Sequence, residues 1–389
     1  MFIQEVTSKL RQFVVPKKKQ FFEPKCAGHK SLALNAYFTP KSQKTGKSYT
    51  VAEIAQQFME ITKDQKALSP KTLRQYEQYL QLFQDIWGLD DPNEMDRENA
   101  ELILGLLYKQ PKNPEKNPKL KGYKGIELIK RNEEIDGEVI SRRTVKKIIN
   151  FLSTFFNWAE SRGYVEKNHF YKLRVRKALT TDRRYQFTCD ELLRIFTMRD
   201  YEKGTFPYYY WLPLLLRFTG ARLNELCQLT KDDLKQLDGY WGIRICALSP
   251  GQRVKNENSE RFVPLHTALI NRGFVEFVAS RPSQRIFDEL KLVNGYYSAT
   301  ASKWFARRRA QLGFKRGKDA YSFRHRTVDE LKQKGVALEV IQELVGHSSN
   351  TITSSVYSRK YRPQTLFSAI SKIDDSHVRS IQPYTAYSA

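Results

Sequence analysis

The chain of 389 residues holds only four cysteines, Cys26, Cys189, Cys227 and Cys246, none in CxxC spacing. That argues against a disulfide framework or a structural zinc site and fits a reducing compartment. The six histidines form no HExxH or H-x₃₋₅-H pair, so no metal is expected. A Walker-type phosphate loop is also missing, so no nucleotide cofactor is expected. No apolar run approaches the roughly 18 residues of a membrane span. The start, MFIQEVTSKLRQFVVPKKKQ, turns charged too soon for a signal peptide. A soluble cytoplasmic chain with no membrane partner is expected. Acidic residues are scarce too: 42 Asp and Glu face 66 Lys and Arg, leaving a formal charge of +24. Such an excess favours a polyanionic partner, because neutralising phosphates releases condensed counterions. With 13% aromatics beside it, the charge points to nucleic acid.

What is present falls into five stretches. Residues 1–48 carry ten Lys and Arg against Glu5 and Glu23 alone, and read as a basic arm, either a small DNA-contacting unit or a flexible tail. Residues 49–170 are helical in pattern. In SPKTLRQYEQYLQLFQDIWG, Ser69 is placed to cap and Pro70 to open a helix. Leu73, Tyr76, Leu80, Phe83 and Trp87 then make one apolar stripe. In SRRTVKKIINFLSTFFNWAESRG the stripe is Val145, Ile148, Leu152, Phe155 and Ala159. Arg142, Arg143, Lys146 and Lys147 load the first half of that helix, as a solvated face or as a surface for phosphates. Between the two helices, 109–125 reads as an exposed Pro/Lys-rich loop. Residues 171–185, with six Lys and Arg including Arg183 and Arg184, read as a basic linker.

Beyond the linker, Thr188 and Glu191 form a capping-box signature. GYWGIRICAL (239–248) and RFVPL (261–265) read as two strands joined by a polar loop. Helices are expected at 207–218, 266–279, 299–312, 323–334 and 338–346. Within TGARLNEL, Arg222 and Glu225 are three apart and share a helix face, which alone suggests a structural ion pair. In YSFRHR, Arg324, His325 and Arg326 cluster at a helix entrance, a modest phosphate signal. His347 follows a glycine, so it belongs at a turn, and Tyr357 and Tyr361 close the polar run after it.

In this order, TG-x-R-x-x-E-L, a hairpin lysine, x-x-x-R-H and L-x-G-H-S-S with a tyrosine ten residues on, the set resembles the tyrosine recombinase (phage integrase) family. The resemblance covers about 185–362 through its motifs and reaches upstream through FFNWAESRGYVEKN. It implies a mainly α chain with a small β-sheet: a helical core-binding (SAM-like) domain at 49–170 and an α+β catalytic domain at 186–362. A C-terminal tail at 363–389 would dock onto a neighbouring subunit, and the arm at 1–48 matches an arm-site DNA-binding region by position. The resemblance assigns catalysis to Arg222, Lys255, Arg324, His347 and the nucleophile Tyr357, with Glu225 in support. The second motif of the family opens with His where this chain has Tyr321. A phenol is a poorer acid–base group near neutrality than an imidazole, though it still donates a hydrogen bond. His325 is expected to face another way. Asn168-His169 stands where many relatives have Asn-Pro.

The chemistry explains the residue types. Attack on phosphorus builds charge on non-bridging oxygens, which arginine forks bind without ever deprotonating. A tyrosine nucleophile gives a 3′-phosphotyrosine, and a lysine can protonate the leaving 5′-oxygen. The expected activity is site-specific recombination of duplex DNA by a phage or mobile-element integrase that works as a homo-tetramer at the nucleoid, with or without accessory DNA-bending proteins. Two readings compete with it: type IB topoisomerase-like relaxation, and a DNA-binding protein that has lost catalysis.

Overall fold

A computed structural model describes residues 49–65, 68–177, 185–203, 205–255, 259–315, 317–347 and 360–385. The arm at 1–48, Arg183, Arg184 and Tyr357 lie outside the described residues. The chain divides into two compact units with the break after Lys177, each with its own hydrophobic core.

The first unit is helical: α1 (Val51–Gln65), α2 (Pro70–Trp87), α3 (Arg97–Leu107), α4 (Gly125–Glu134) and α5 (Arg142–Ser161). Local chemistry sets the starts. Ser69 and Ser141 each accept a backbone N–H three residues on, from Thr72 and Thr144, at 3.2 Å in both cases. The stripe of α5 is buried throughout, as is the Leu80, Phe83 and Trp87 part of the α2 stripe; Leu73 and Tyr76 are only half-buried. Phe58, Phe83, Phe155 and Phe156 meet edge-to-face, with centroids 5.2–5.6 Å apart, the favoured geometry for ring quadrupoles. The stretch expected as a loop at 109–125 is more ordered than that. It forms two 3₁₀ turns, Pro114–Lys116 and Pro118–Leu120, buries Leu120, and joins Lys112 to Glu138 at 2.6 Å. Asn168 is buried because its amide ties Ser153 and Asn157 to the following turn.

The second unit contains α6 (Cys189–Phe196), α7 (Asp200–Lys203), α8 (Pro207–Thr219) and α9 (Leu223–Cys227). An antiparallel sheet follows: β1 (Leu234–Leu237), β2 (Tyr240–Ile245) and β3 (Arg261–Pro264). After it come α10 (Thr267–Ile270), α11 (Phe274–Ser280), α12 (Ser298–Gln311), α13 (Tyr321–Gln333), α14 (Leu338–Val345) and α15 (Pro363–Ile370). The helix α8 is apolar almost all round and lies in the core, as that pattern requires. Thr188 and Glu191 close their capping box at α6.

Three expectations need correction. The sheet has a third strand, β1, joined to β2 by Asp238 and Gly239, both at positive φ (48° and 83°). That Asp-Gly pair is a hairpin signal, but β1 is polar and mostly exposed, so alternation did not reveal it. The single helix expected at 266–279 is two, parted at Gly273 with φ 79°. The boundary expected at 362 falls too early: Leu366, Ile370, Ile373, Val378 and Ile381, from the segment expected as a C-terminal tail, are buried in the core of their own unit.

A buried polar knot fixes that C-terminal segment. Arg217 donates to Glu330 Oε2 (2.6 Å), to the Asp374 carbonyl (3.1 Å) and to His377 Nε2 (3.1 Å). Burial, and then the Arg217 charge, push the His377 pKa down from 6.5 to about 4, so the ring is neutral in the fold. The unfolded chain therefore takes up a proton near pH 6.5 that the folded chain refuses until about 4. Stability from this site is complete above 6.5 and declines as pH falls from 6.5 toward 4. Thermal melts across that interval should show Tm falling, and His377→Gln, which keeps an acceptor for Arg217, should flatten part of the slope. An unchanged slope would assign the loss to other groups.

Candidate active site

The turn from α8 into α9 is built on glycine. Gly220 caps α8 at φ 60°, and a Cβ there would meet Val345 Cγ1 at 3.1 Å and Thr327 Cγ2 at 3.3 Å. Its carbonyl accepts Arg324 NH1 at 2.9 Å. Two residues on, Arg222 occupies the N-cap of α9 in extended backbone. Glu225 holds Arg222 twice, accepting its backbone N–H at 2.9 Å and its guanidinium at 2.6 Å. The sequence-level ion pair is thus present, but it has a third member: Arg261 reaches the other Glu225 oxygen at 2.8 Å. Burial raises the Glu225 pKa, yet Arg261 and Arg222 together outweigh it and leave the carboxyl below its usual value.

Arg324 is almost completely buried, on the second turn of α13. Among the described residues its Nε and NH2 have no acceptor. Burial first, and the Arg222 charge second, lower its pKa to about 10. Unpaired buried donors of this kind are costly, and cluster where a ligand completes them. His347 follows Gly346 (φ 66°) at the C-terminus of α14, its backbone N–H on Gln342 O at 2.9 Å. The residue is exposed overall, yet desolvation, followed by the charges of Arg324, Arg222 and Arg261, pushes its pKa down to about 4. Arg222 NH2 donates to the Gly346 carbonyl at 3.0 Å, which ties the His347 turn to α9. Arg222, Glu225, Arg324 and His347, spread over 126 positions of sequence (222 to 347, counted inclusively), converge in one cationic cluster. Its donors suit a phosphate oxygen.

The phage integrase family model matches residues 186–363, the stretch that carries this cluster. That stretch belongs to the phage integrase family. A tyrosine recombinase of Thermosipho africanus is 24% identical over 245 residues, 62% of this chain and 79% of that protein. The tyrosine recombinase XerC of Oceanobacillus iheyensis is 23% identical over 309 residues, 76% of this chain and 88% of that one. In fold, the chain is similar to lambda integrase, solved as a tetramer bound to a Holliday junction. The TM-score is 0.55 at 19% identity, covering 90% of this chain and 88% of that one. The class of activity is DNA strand breaking and rejoining in site-specific recombination.

Other positions of this recombinase are placed less directly. Lys255 is exposed on the β2–β3 loop. The loop is pinned just before it, where Gln228 brackets the Arg253 backbone at 3.0 Å on both sides, and again at buried Ser259, whose hydroxyl is 3.4 Å from Arg222. After His347 the described chain resumes at Lys360, and the Tyr361 N–H binds Glu343 at 3.1 Å, on the last turn of α14. Tyr361 itself is exposed.

The cluster expected in YSFRHR separates. Because α13 starts at Tyr321, Arg324 points inward, while Arg326 turns toward Glu330 (3.7 Å) and Cys189 (3.3 Å). His325 does not face away from the second-motif position. At i+4 from Tyr321 it shares that face, and the two rings meet edge-on at 4.8 Å. On α5, Arg143, Lys146 and Lys147 are exposed, and among the described residues none has an acidic partner; Arg142 donates to the Lys177 carbonyl at 3.2 Å. Arg261 was missed, although an arginine opening the apolar strand RFVPL is the one signal that could have found it. No cluster of three His, Cys, Asp or Glu suited to a metal, and no helix long and apolar enough to cross a membrane, occurs among the described residues.

Proposed function

We propose that this protein is the integrase of a phage or mobile element, cutting and rejoining duplex DNA through a 3′-phosphotyrosine. Arg324 carries the reading: a buried guanidinium with two donors unmatched, beside Arg222, has the form of a site waiting for phosphate. In the cleavage step the Tyr357 oxygen attacks phosphorus while the bond to the 5′-oxygen breaks. Arg222 and Arg324 bind the non-bridging oxygens as charge builds there. Lys255 gives its proton to the leaving 5′-oxygen, and His347, neutral in the free protein, accepts a hydrogen bond or the tyrosine proton. The products are the phosphotyrosine and a free 5′-hydroxyl. A 5′-hydroxyl from the other duplex reverses the step, so no external energy source is consumed. Tyr357 stands three positions before Lys360, and three residues of chain reach at most ~11 Å. The Lys360 side-chain Nζ donates to the Glu260 carbonyl (3.0 Å), next to Ser259 and Arg261, and this supports delivery of Tyr357 to the same cluster.

Exchange between two duplexes cuts four strands, which calls for four protomers on DNA. The exposed basic face of α5 (Arg143, Lys146, Lys147), with Arg142 beside it and Arg183 and Arg184 in the linker, would contact the backbone. A nicked suicide duplex carrying the element's attachment site tests the reading: covalent protein–DNA adduct should accumulate. Its absence on that site would leave a DNA-binding protein, and relaxation of supercoils without joining two sites would mean a topoisomerase.

A further inference from the structure

Arg261 is the residue of the site that neither its motifs nor its proposed chemistry employs. It opens β3, and only 3% of its surface is exposed. Its guanidinium makes three directed bonds, each 2.8 Å: NH2 to Glu225 Oε2, Nε to the Leu344 carbonyl, and NH1 to the Ser259 carbonyl. Each acceptor belongs to a different arm of the site. Glu225 holds Arg222, Leu344 lies three residues before His347, and Ser259 closes the loop that bears Lys255. The Gly346 backbone packs on the same group, since a Cβ there would lie 2.7 Å from Arg261 NH1. Just before β3, the Glu260 carbonyl accepts the Lys360 side-chain Nζ, so the residue at which the described chain resumes is tied beside Arg261.

Burying a guanidinium carries a desolvation penalty, and an apolar residue would fill the strand without it. The sheet does not need Arg261 for register, because Ile243 and Val263 already pair inside it. What the arginine adds is a planar fork that fixes three segments at once, which a lysine point charge cannot do. We infer that Arg261 is a positioning residue that holds the Lys255 loop in register with Arg222 and the His347 turn, so that proton delivery meets the clamped phosphate. The inference rests on the strand-cleavage reading above.

The test compares ordinary suicide DNA with DNA whose scissile 5′-bridging oxygen is sulfur. A thiolate leaves without needing a proton, so that substrate bypasses the general acid. With Arg261→Gln, adduct formation on ordinary DNA should slow roughly 10²-fold, the low end for a lost general acid. On the sulfur substrate the deficit should shrink to within about tenfold, with DNA affinity unchanged. Arg261→Lys, which keeps a charge against Glu225, should behave alike and carries the test if the glutamine variant melts too low. An equal loss on both substrates, or no loss in a folded variant, overturns the inference. Lys255→Ala on the same pair reports separately on the acid itself. If it is not rescued while Arg261→Gln is, another residue of the loop supplies the proton and the role of Arg261 stands.

Discussion

Arg324→Ala should lower the rate of covalent adduct formation by roughly 10²–10³, the usual cost of removing one preorganised donor to a developing oxyanion. The loss should appear in the cleavage rate rather than in DNA affinity, because one buried guanidinium adds little to an interface of many phosphate contacts. Arg324→Lys should recover little. It restores a charge, but a lysine cannot both hold the Gly220 carbonyl and present two further N–H groups in a plane. The preparation must be shown folded by its melt, since the side chain fills space deep in the core. A folded Arg324→Ala protein that cleaves at wild-type rate would remove this arginine from the chemistry.

Tyr357→Phe has the larger expected effect: adduct should vanish altogether, since no oxygen remains to bond phosphorus, while DNA affinity stays nearly intact. Tyr361→Phe should leave adduct formation in place. Tyr361 enters the described structure through its backbone N–H on Glu343 and is fixed there at the base of α14. If adduct persists in Tyr357→Phe and disappears in Tyr361→Phe, the nucleophile has been assigned to the wrong tyrosine.

Local signals carried far in this chain. Ser69, Ser141 and Thr188 cap where their residue types say they should, and α5 buries the whole stripe that period 3.6 marks out. Arg222, Arg324 and His347 come together in the fold, and only the order of their motifs, not any one of them, pointed to that grouping. The misses are of a different physical kind. Strand β1 is nearly all exposed, so burial left no alternation in it to read. The break at Gly273 depends on a left-handed backbone that glycine permits but does not announce. Arg261 joins Glu225 across 36 positions and Leu344 across 83, and pattern reading has no reach at such separations. His325 meets Tyr321, four residues away on the same face, a pairing that the helical spacing itself allows.

The knot of Arg217, Glu330 and His377 ties the C-terminal segment to the candidate site. Glu330 lies on α13, the helix that presents Arg324, and it accepts both Lys334 Nζ (3.0 Å) and the backbone N–H of Asp374 (2.6 Å). To leave its own unit, the segment must strip a buried arginine and a buried carboxylate of partners at the same moment. Its anchor is therefore set inside α13, the helix that carries Arg324.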